Sequence, residues 1–154
     1  MTRLVPQELR TFFISASAAG HRSLFQTNNM AALLKQTLLD HREKKRFALH
    51  AFVVMPDHLH DLFTPASDVP LEKAVQYIKG GFSFRAGKEL GVTREIWQRS
   101  YMEHRIKDVE DYQNHVLYIH QNPVKAGLVA KAEEYPWSSV NMELDPMPEH
   151  FLQS

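Results

Sequence analysis

The chain has no cysteine. That excludes disulfides, thiolate-bound zinc and a thiol nucleophile, and it allows an intracellular site. It also lacks any run of about 18 apolar residues, the length a helix needs to span a bilayer. The opening Met1–Pro6 has no secretory apolar core, so a soluble, cytoplasmic protein with no membrane partner is expected. Net charge is missing as well, because 18 Lys and Arg balance 18 Asp and Glu. A strong, uniform pull on nucleic acid is therefore not expected.

What is present fits one compact domain. The 154 residues are 44% hydrophobic, enough for a real core but with little room for two. We read 1–154 as a single domain with its core over about residues 10–140. The charge is unevenly spread. Between Lys79 and Lys107 there are seven basic residues (Lys79, Arg85, Lys88, Arg94, Arg99, Arg105, Lys107) against Glu89, Glu95 and Glu103. A second basic cluster is Arg42, Lys44, Lys45 and Arg46, while acids gather from Asp108 onward. Such a stretch could face a phosphate backbone or could be a solvated helix face, and charge alone leaves this open.

The chain contains 9 histidines, and two of them, His58 and His60, stand between the apolar runs Phe52–Met55 and Leu62–Phe63. In a strand, residues i and i+2 share a face about 7 Å apart at the backbone, so both imidazoles could serve one ion. The same alternation also suits a solvated strand face or two satisfied core histidines. It sends Asp61, the residue after the pair, to the opposite face from His60.

Local patterns give an order of elements. Residues 10–17 read as a strand, and residues from Asn28 or Asn29 to about Lys44 as a helix. A second strand spans 47–55, Pro56-Asp57 turns the chain, and a third strand spans 58–64. A second helix covers 71 to about 90, closed by Gly91, with Gly80-Gly81 marking an irregularity or a close backbone approach. Residues 96–106 read as a long fourth strand. A third helix runs from a cap at Asp108 to Gln121, where Asn122-Pro123 stops it. The tail Tyr135–Ser139 is expected to pack back on the domain. The order β-α-β-β-α-β-α is the ferredoxin-like split βαβ arrangement of an α+β protein, an antiparallel sheet with helices on one face and a further C-terminal helix.

On that third helix Tyr118 and Asn122 lie within about 40° of each other, with Asp111 and His115 in the same sector. A tyrosine oxygen can form a covalent phosphotyrosine, and a divalent ion can polarise a phosphodiester. Two imidazoles and an amide oxygen would hold such an ion in an open site. Nitrogen ligands favour zinc or a transition metal and oxygen favours magnesium, so these residues leave its identity open.

His58-Leu59-His60 after Met55-Pro56-Asp57 resembles the histidine–hydrophobic–histidine motif of the HUH endonucleases. Three further runs resemble the single-tyrosine transposases of bacterial insertion sequences and the REP-associated tyrosine transposases. These are Ile96–Arg99, Tyr118–Val129 and Tyr135–Ser139, and the likeness covers about residues 10–140. The resemblance implies strand transfer on single-stranded DNA with hairpin ends, through a 5′-phosphotyrosine. It implies Tyr118 as the nucleophile, and His58, His60 and Asn122 as ligands of a divalent ion, Mg²⁺ or Mn²⁺. It leaves monomer and homodimer open. Asp57 and Asp61 depart from the family's pattern, which often has Asn and an apolar residue there. Arg85, Lys88, Arg94 and Arg99 are the candidate DNA-binding residues. Tyr101 and Tyr112 read as structural tyrosines. Two other readings compete: a domesticated hairpin-binding protein without turnover, and a metal-dependent hydrolase with a water nucleophile.

Overall fold

A computed structural model describes residues 10–152, so the opening Met1–Pro6 segment lies outside the described residues. Four strands, β1 (Phe12–Ser17), β2 (Phe47–Val54), β3 (His58–Pro65) and β4 (Met102–Arg105), form one antiparallel sheet. Its order is β2-β3-β1-β4, the ferredoxin-like arrangement expected for the element order. Helices α1 (Asn28–Glu43) and α2 (Leu71–Leu90) cover one face, and α3 (Val109–Lys125) lies on the other. Among the described residues, no helix is long and apolar enough to cross a membrane.

The two faces follow from strand alternation. Phe12, Ile14 and Ala16 of β1 and Leu59 and Phe63 of β3 join the α1–α2 core, with Phe25, Ile78, Phe82 and Trp97. Phe13 and Leu62 point the other way, into a smaller cluster with Tyr112 and Ile119 of α3. Thr27 caps α1 through its side-chain oxygen, one residue before the expected asparagines. Gly91 closes α2 in the left-handed region at φ 68°, a conformation in which glycine carries no Cβ penalty.

Two expectations differ from the fold. The fourth strand is only Met102–Arg105, because Ile96 and Trp97 leave the sheet for the α1–α2 core. There the indole of Trp97 donates to the Lys79 carbonyl at 3.0 Å, and a single bridge to Ala18 replaces continuous pairing. Helix α3 runs through Pro123 to Lys125 instead of stopping before it. Proline removes only its own N–H bond, and in a final turn the remaining chain can still close, as the Ala126 N–H does on the Asn122 carbonyl at 3.0 Å.

The tail returns as expected. Val54 N–H donates to Trp137 O at 2.7 Å and Ser139 N–H to Phe52 O at 3.0 Å, so residues 137–139 line the free edge of β2. Asp145 continues this, accepting from Leu49 N–H at 2.8 Å and pairing with Arg42 at 2.9 Å. Tyr135 anchors the segment by donating its hydroxyl to Val54 O at 2.6 Å. The edge of β2 is thereby covered.

Gly81 is a close approach. A Cβ there would stand 2.9 Å from His41 Nε2 of α1, whereas one on Gly80 would meet only Gln76 Cγ at 3.9 Å. His41 is itself held by Arg46 at 2.7 Å and has little room to retreat. Gly80→Ala should stabilise the protein by about 1 kcal/mol through helix propensity. Gly81→Ala should destabilise it by about 1–3 kcal/mol through overpacking. Urea unfolding of the pair would show opposite signs, and equal effects would refute the close approach.

Asp61 is fully buried on the α1–α2 side, opposite Ile14 and Phe52, and neither carboxyl oxygen has a hydrogen-bond partner. Burial pushes its pKa well above the ordinary carboxylate range. The folded state thus keeps a proton that the unfolded chain gives up near pH 4, so the stability this group contributes is lost as pH rises from about 4 toward the raised value. Relative to Asp61→Asn, the natural protein should become progressively less stable above about pH 4. Denaturation curves of both forms across pH 4–8 test this, and a constant difference would contradict it.

Candidate active site

The face beneath α3 gathers the chemistry. Sheet register sets His60 opposite Ser15 and His58 opposite Ser17, so two small side chains leave space beside the imidazoles. On the next strand Met102 pairs with Ser15 and His104 with Phe13. Helix α3 lays Asp111, His115 and Tyr118 above this row. A cavity of about 470 Å³ opens between them, lined by Phe13, Ser15, His60, Met102, Asn114, His115 and Tyr118.

His58 and His60 come together as their spacing requires, with ring centroids 4.6 Å apart and planes 73° apart. Tyr118 meets His60 of this pair. Its ring lies 5.3 Å from that of His60, and 42% of the residue remains exposed, so the phenol is open to a large substrate. Phe13 is the common support, stacked on His60 at 5.3 Å and touching His115 at 4.8 Å and Tyr118 at 6.0 Å. Lys125 places its ammonium 5.9 Å from the Tyr118 ring centre.

The two imidazoles are prepared differently. Nδ1 of His58 contacts Asp57 Oδ1 at 2.6 Å, an arrangement in which the carboxylate fixes the tautomer and frees Nε2. His60 is buried, and its Nδ1 has no hydrogen-bond partner. Burial, reinforced by the neighbouring His58 and only partly opposed by Asp57, lowers its pKa to about 3. Its imidazole is therefore neutral at physiological pH, the form that ligates a cation. An unpartnered nitrogen on a neutral ring, beside a second ring oriented by a carboxylate, suits a divalent ion.

Asn122 lies one helical turn beyond Tyr118 and is half-buried. Among the described residues, no hydrogen bond engages its side chain. The candidate basic residues lie elsewhere: α2, with Arg85 and Lys88, packs on the opposite face of the sheet. Arg85 is paired with Asp40 at 2.8 Å and with Glu89 at 3.1 Å, whereas Lys88, Arg94 and Arg99 are exposed. Tyr112 is buried in the α3 cluster, and burial raises its pKa to about 12. Tyr101 packs at the margin of the α1–α2 core with Lys79 over its ring. Neither reaches the histidines.

Sequence reasoning missed Phe13 and Ser15 as parts of this site. Their strand was legible, but which of its faces would meet α3 was not. Asp57 stood out only as a departure from a pattern, and its bond to His58 gives it a positioning role.

Comparison with known proteins points in one direction. Residues 16–122 match the family model described as "Transposase IS200 like". A REP-associated tyrosine transposase of Escherichia coli (strain K12) is 30% identical over 135 residues, spanning 87% of this chain and 78% of that protein. A solved structure of a REP-associated tyrosine transposase bound to a REP hairpin superposes with a TM-score of 0.74 at 27% identity. It covers 96% of this chain and 89% of that one.

The state of His60 can be measured directly. With its pKa lowered to about 3, its ring signals should show no titration between pH 5 and 8 in a two-dimensional NMR series on metal-free protein. A midpoint near pH 6–7, where an ordinary histidine titrates, would show that the ring is hydrated and charged.

Proposed function

This chain belongs to the IS200-like transposase family, and we propose that it cleaves and rejoins single-stranded DNA beside a hairpin through a 5′-phosphotyrosine on Tyr118. The observation that carries this reading is the meeting of an exposed tyrosine with the buried His60 at 5.3 Å, at the edge of a cavity wide enough for a nucleotide. The similar structure bound to a REP hairpin supports hairpin DNA as the partner.

In this reading the phenol oxygen of Tyr118 attacks the phosphorus in line with the leaving 3′ oxygen. The P–Oη bond forms, the P–O3′ bond breaks, the phenol proton leaves to solvent and the 3′ oxygen gains one. A 3′ hydroxyl then attacks the phosphotyrosine and reverses the exchange with a new end. His58 and His60, with Asn122 as third ligand, would hold a divalent ion, Mg²⁺ or Mn²⁺. When bound, such an ion supplies Lewis-acid stabilisation of charge on the phosphate. Asp57 keeps the His58 ring in its ligating tautomer. Phe13 holds His60 and Tyr118 at a fixed separation, so the reacting groups need little reorganisation.

His60 and Tyr118 meet within one chain, which supports a site complete in a monomer. Lys88, Arg94 and Arg99 are free to meet the phosphate backbone, and Arg85 less so because of its two acidic partners. With zero net charge, recognition rests on hairpin shape and unpaired bases more than on general attraction. The reaction is assigned to the cytoplasm.

The test is incubation of labelled single-stranded hairpin DNA from repeats flanking the gene with Mg²⁺ or Mn²⁺, resolved on a denaturing protein gel. A metal-dependent protein–DNA adduct is expected, and Tyr118→Phe should abolish it. Cleavage that survives in Tyr118→Phe without any adduct would replace this reading with a hydrolase. Tight hairpin binding without cleavage would replace it with a non-catalytic binder. Asp57→Ala should weaken the metal requirement's midpoint by about 10–100-fold, with activity recovered at high Mn²⁺. An unchanged midpoint would remove Asp57 from the site.

A further inference from the structure

On the far side of Phe13 from His60, three other side chains converge. His104 comes from β4, and Asp111 and His115 stand one turn apart on α3. Nε2 of His104 lies 2.8 Å from Asp111 Oδ2, and Nδ1 of His115 lies 3.1 Å from Asp111 Oδ1. The two imidazoles stack, with centroids 4.9 Å apart and planes only 18° apart. One ligand atom from each of the three residues lies within 4.8 Å of the other two. None of these residues belongs to the His58–His60 pair.

We infer that His104, Asp111 and His115 form a second cation site, selective for a zinc-class divalent ion, which fastens β4 to the helix that carries Tyr118. The reading goes beyond strand transfer and does not rest on it. Ligands held about 2.0–2.1 Å from an ion at tetrahedral or octahedral angles stand about 3 Å apart. Two nitrogen–oxygen separations, each to a different Asp111 oxygen, already have about that value, and with one ligand atom from each residue within 4.8 Å an inward turn of the rings would close the set on an ion. The Asp111 carboxylate is set by the backbone. Its own N–H donates to Asp108 Oδ1 at 2.8 Å, and its Oδ2 accepts from Lys107 N–H at 2.9 Å. Burial pushes its carboxyl up, but the Lys107 N–H and the His104 imidazole outweigh this and hold it below the ordinary range. It is thus ionised at neutral pH.

The metal-free arrangement is also satisfied. His104 can donate to the carboxylate, and His115 Nδ1 lies 2.8 Å from the Asp111 carbonyl as well. An ion would take the place of those shared protons, each ring carrying its remaining proton on the other nitrogen. Two imidazole nitrogens and one carboxylate favour zinc, cobalt or nickel over magnesium, which prefers an all-oxygen shell. The exposed side, where 39% of the His104 side chain is accessible, leaves room for water to complete the shell.

The test uses full-length protein without a histidine tag, titrated with Zn²⁺ by calorimetry and with Co²⁺ by visible absorption. Glutamine keeps a donor for Asp111 but binds metal poorly, so His104→Gln/His115→Gln should fold normally and lose one equivalent of Zn²⁺. His58→Ala/His60→Ala should retain that equivalent, with the d–d absorption of cobalt in a nitrogen–oxygen shell. In that background each single glutamine substitution should weaken binding at least 10-fold, and Zn²⁺ should raise the melting temperature. If His58→Ala/His60→Ala takes up no Zn²⁺, or if the glutamine variants bind as the parent does, the second site does not exist. Because the readout is stoichiometry and spectrum, it is independent of whether Tyr118 forms an adduct.

Discussion

The third strand is buried on both faces, and the rest of the molecule is arranged around that constraint. It lies between β2 and β1, so its backbone polar groups are committed to two neighbours and its register cannot slide. A slip of one residue would send His58 and His60 into the α1–α2 core and bring Asp61 to the site. Burial of this strand also makes His60 a neutral base and raises the pKa of Asp61. Burial on opposite faces of one strand therefore moves the pKa values of two neighbouring side chains in opposite directions, and in each case favours the neutral form. The histidine stays neutral where an ordinary imidazole would gain a charge in acid, and the aspartate holds its proton to higher pH than an exposed carboxyl does.

Much of this was legible before any coordinates. Period-two alternation located the histidine pair and sent Asp61 to the other face, and Gly80-Gly81 flagged the approach of α1 to α2. Helical periodicity put Tyr118 and Asn122 on one face of α3. The ends of elements were less legible, because tertiary packing decides them. Trp97 reads as a strand residue by propensity, yet an indole of that size finds more to bury beside Phe25 and Phe82. Pro123 reads as a stop, yet the last turn of a helix tolerates it.

The site itself was half legible. The histidines and the tyrosine are separated by 58 to 60 residues of sequence, and only the fold brings the rings of His60 and Tyr118 to 5.3 Å. Phe13, which touches His60, His115 and Tyr118, carries no signal of its own, since one phenylalanine in an aromatic strand looks like any other core residue. Asp111 was visible in the same helix sector as Tyr118, but its contact with His104 required β4 to lie beneath the first turns of α3. Such partnerships depend on strand order, and strand order is not a local property of sequence.

The strip of chain from Trp137 to Asp145 occupies β2's outer edge as a substitute strand. Among the described residues, β4 is the margin with no strand paired on its outer side, and it is four residues long with Glu103 and Arg105 exposed along it. A second molecule can therefore extend this sheet through β2 only by evicting the strip, or by lending its own in exchange. The strip thus spends on its own chain the backbone donors and acceptors that an open β2 edge would offer to a neighbour.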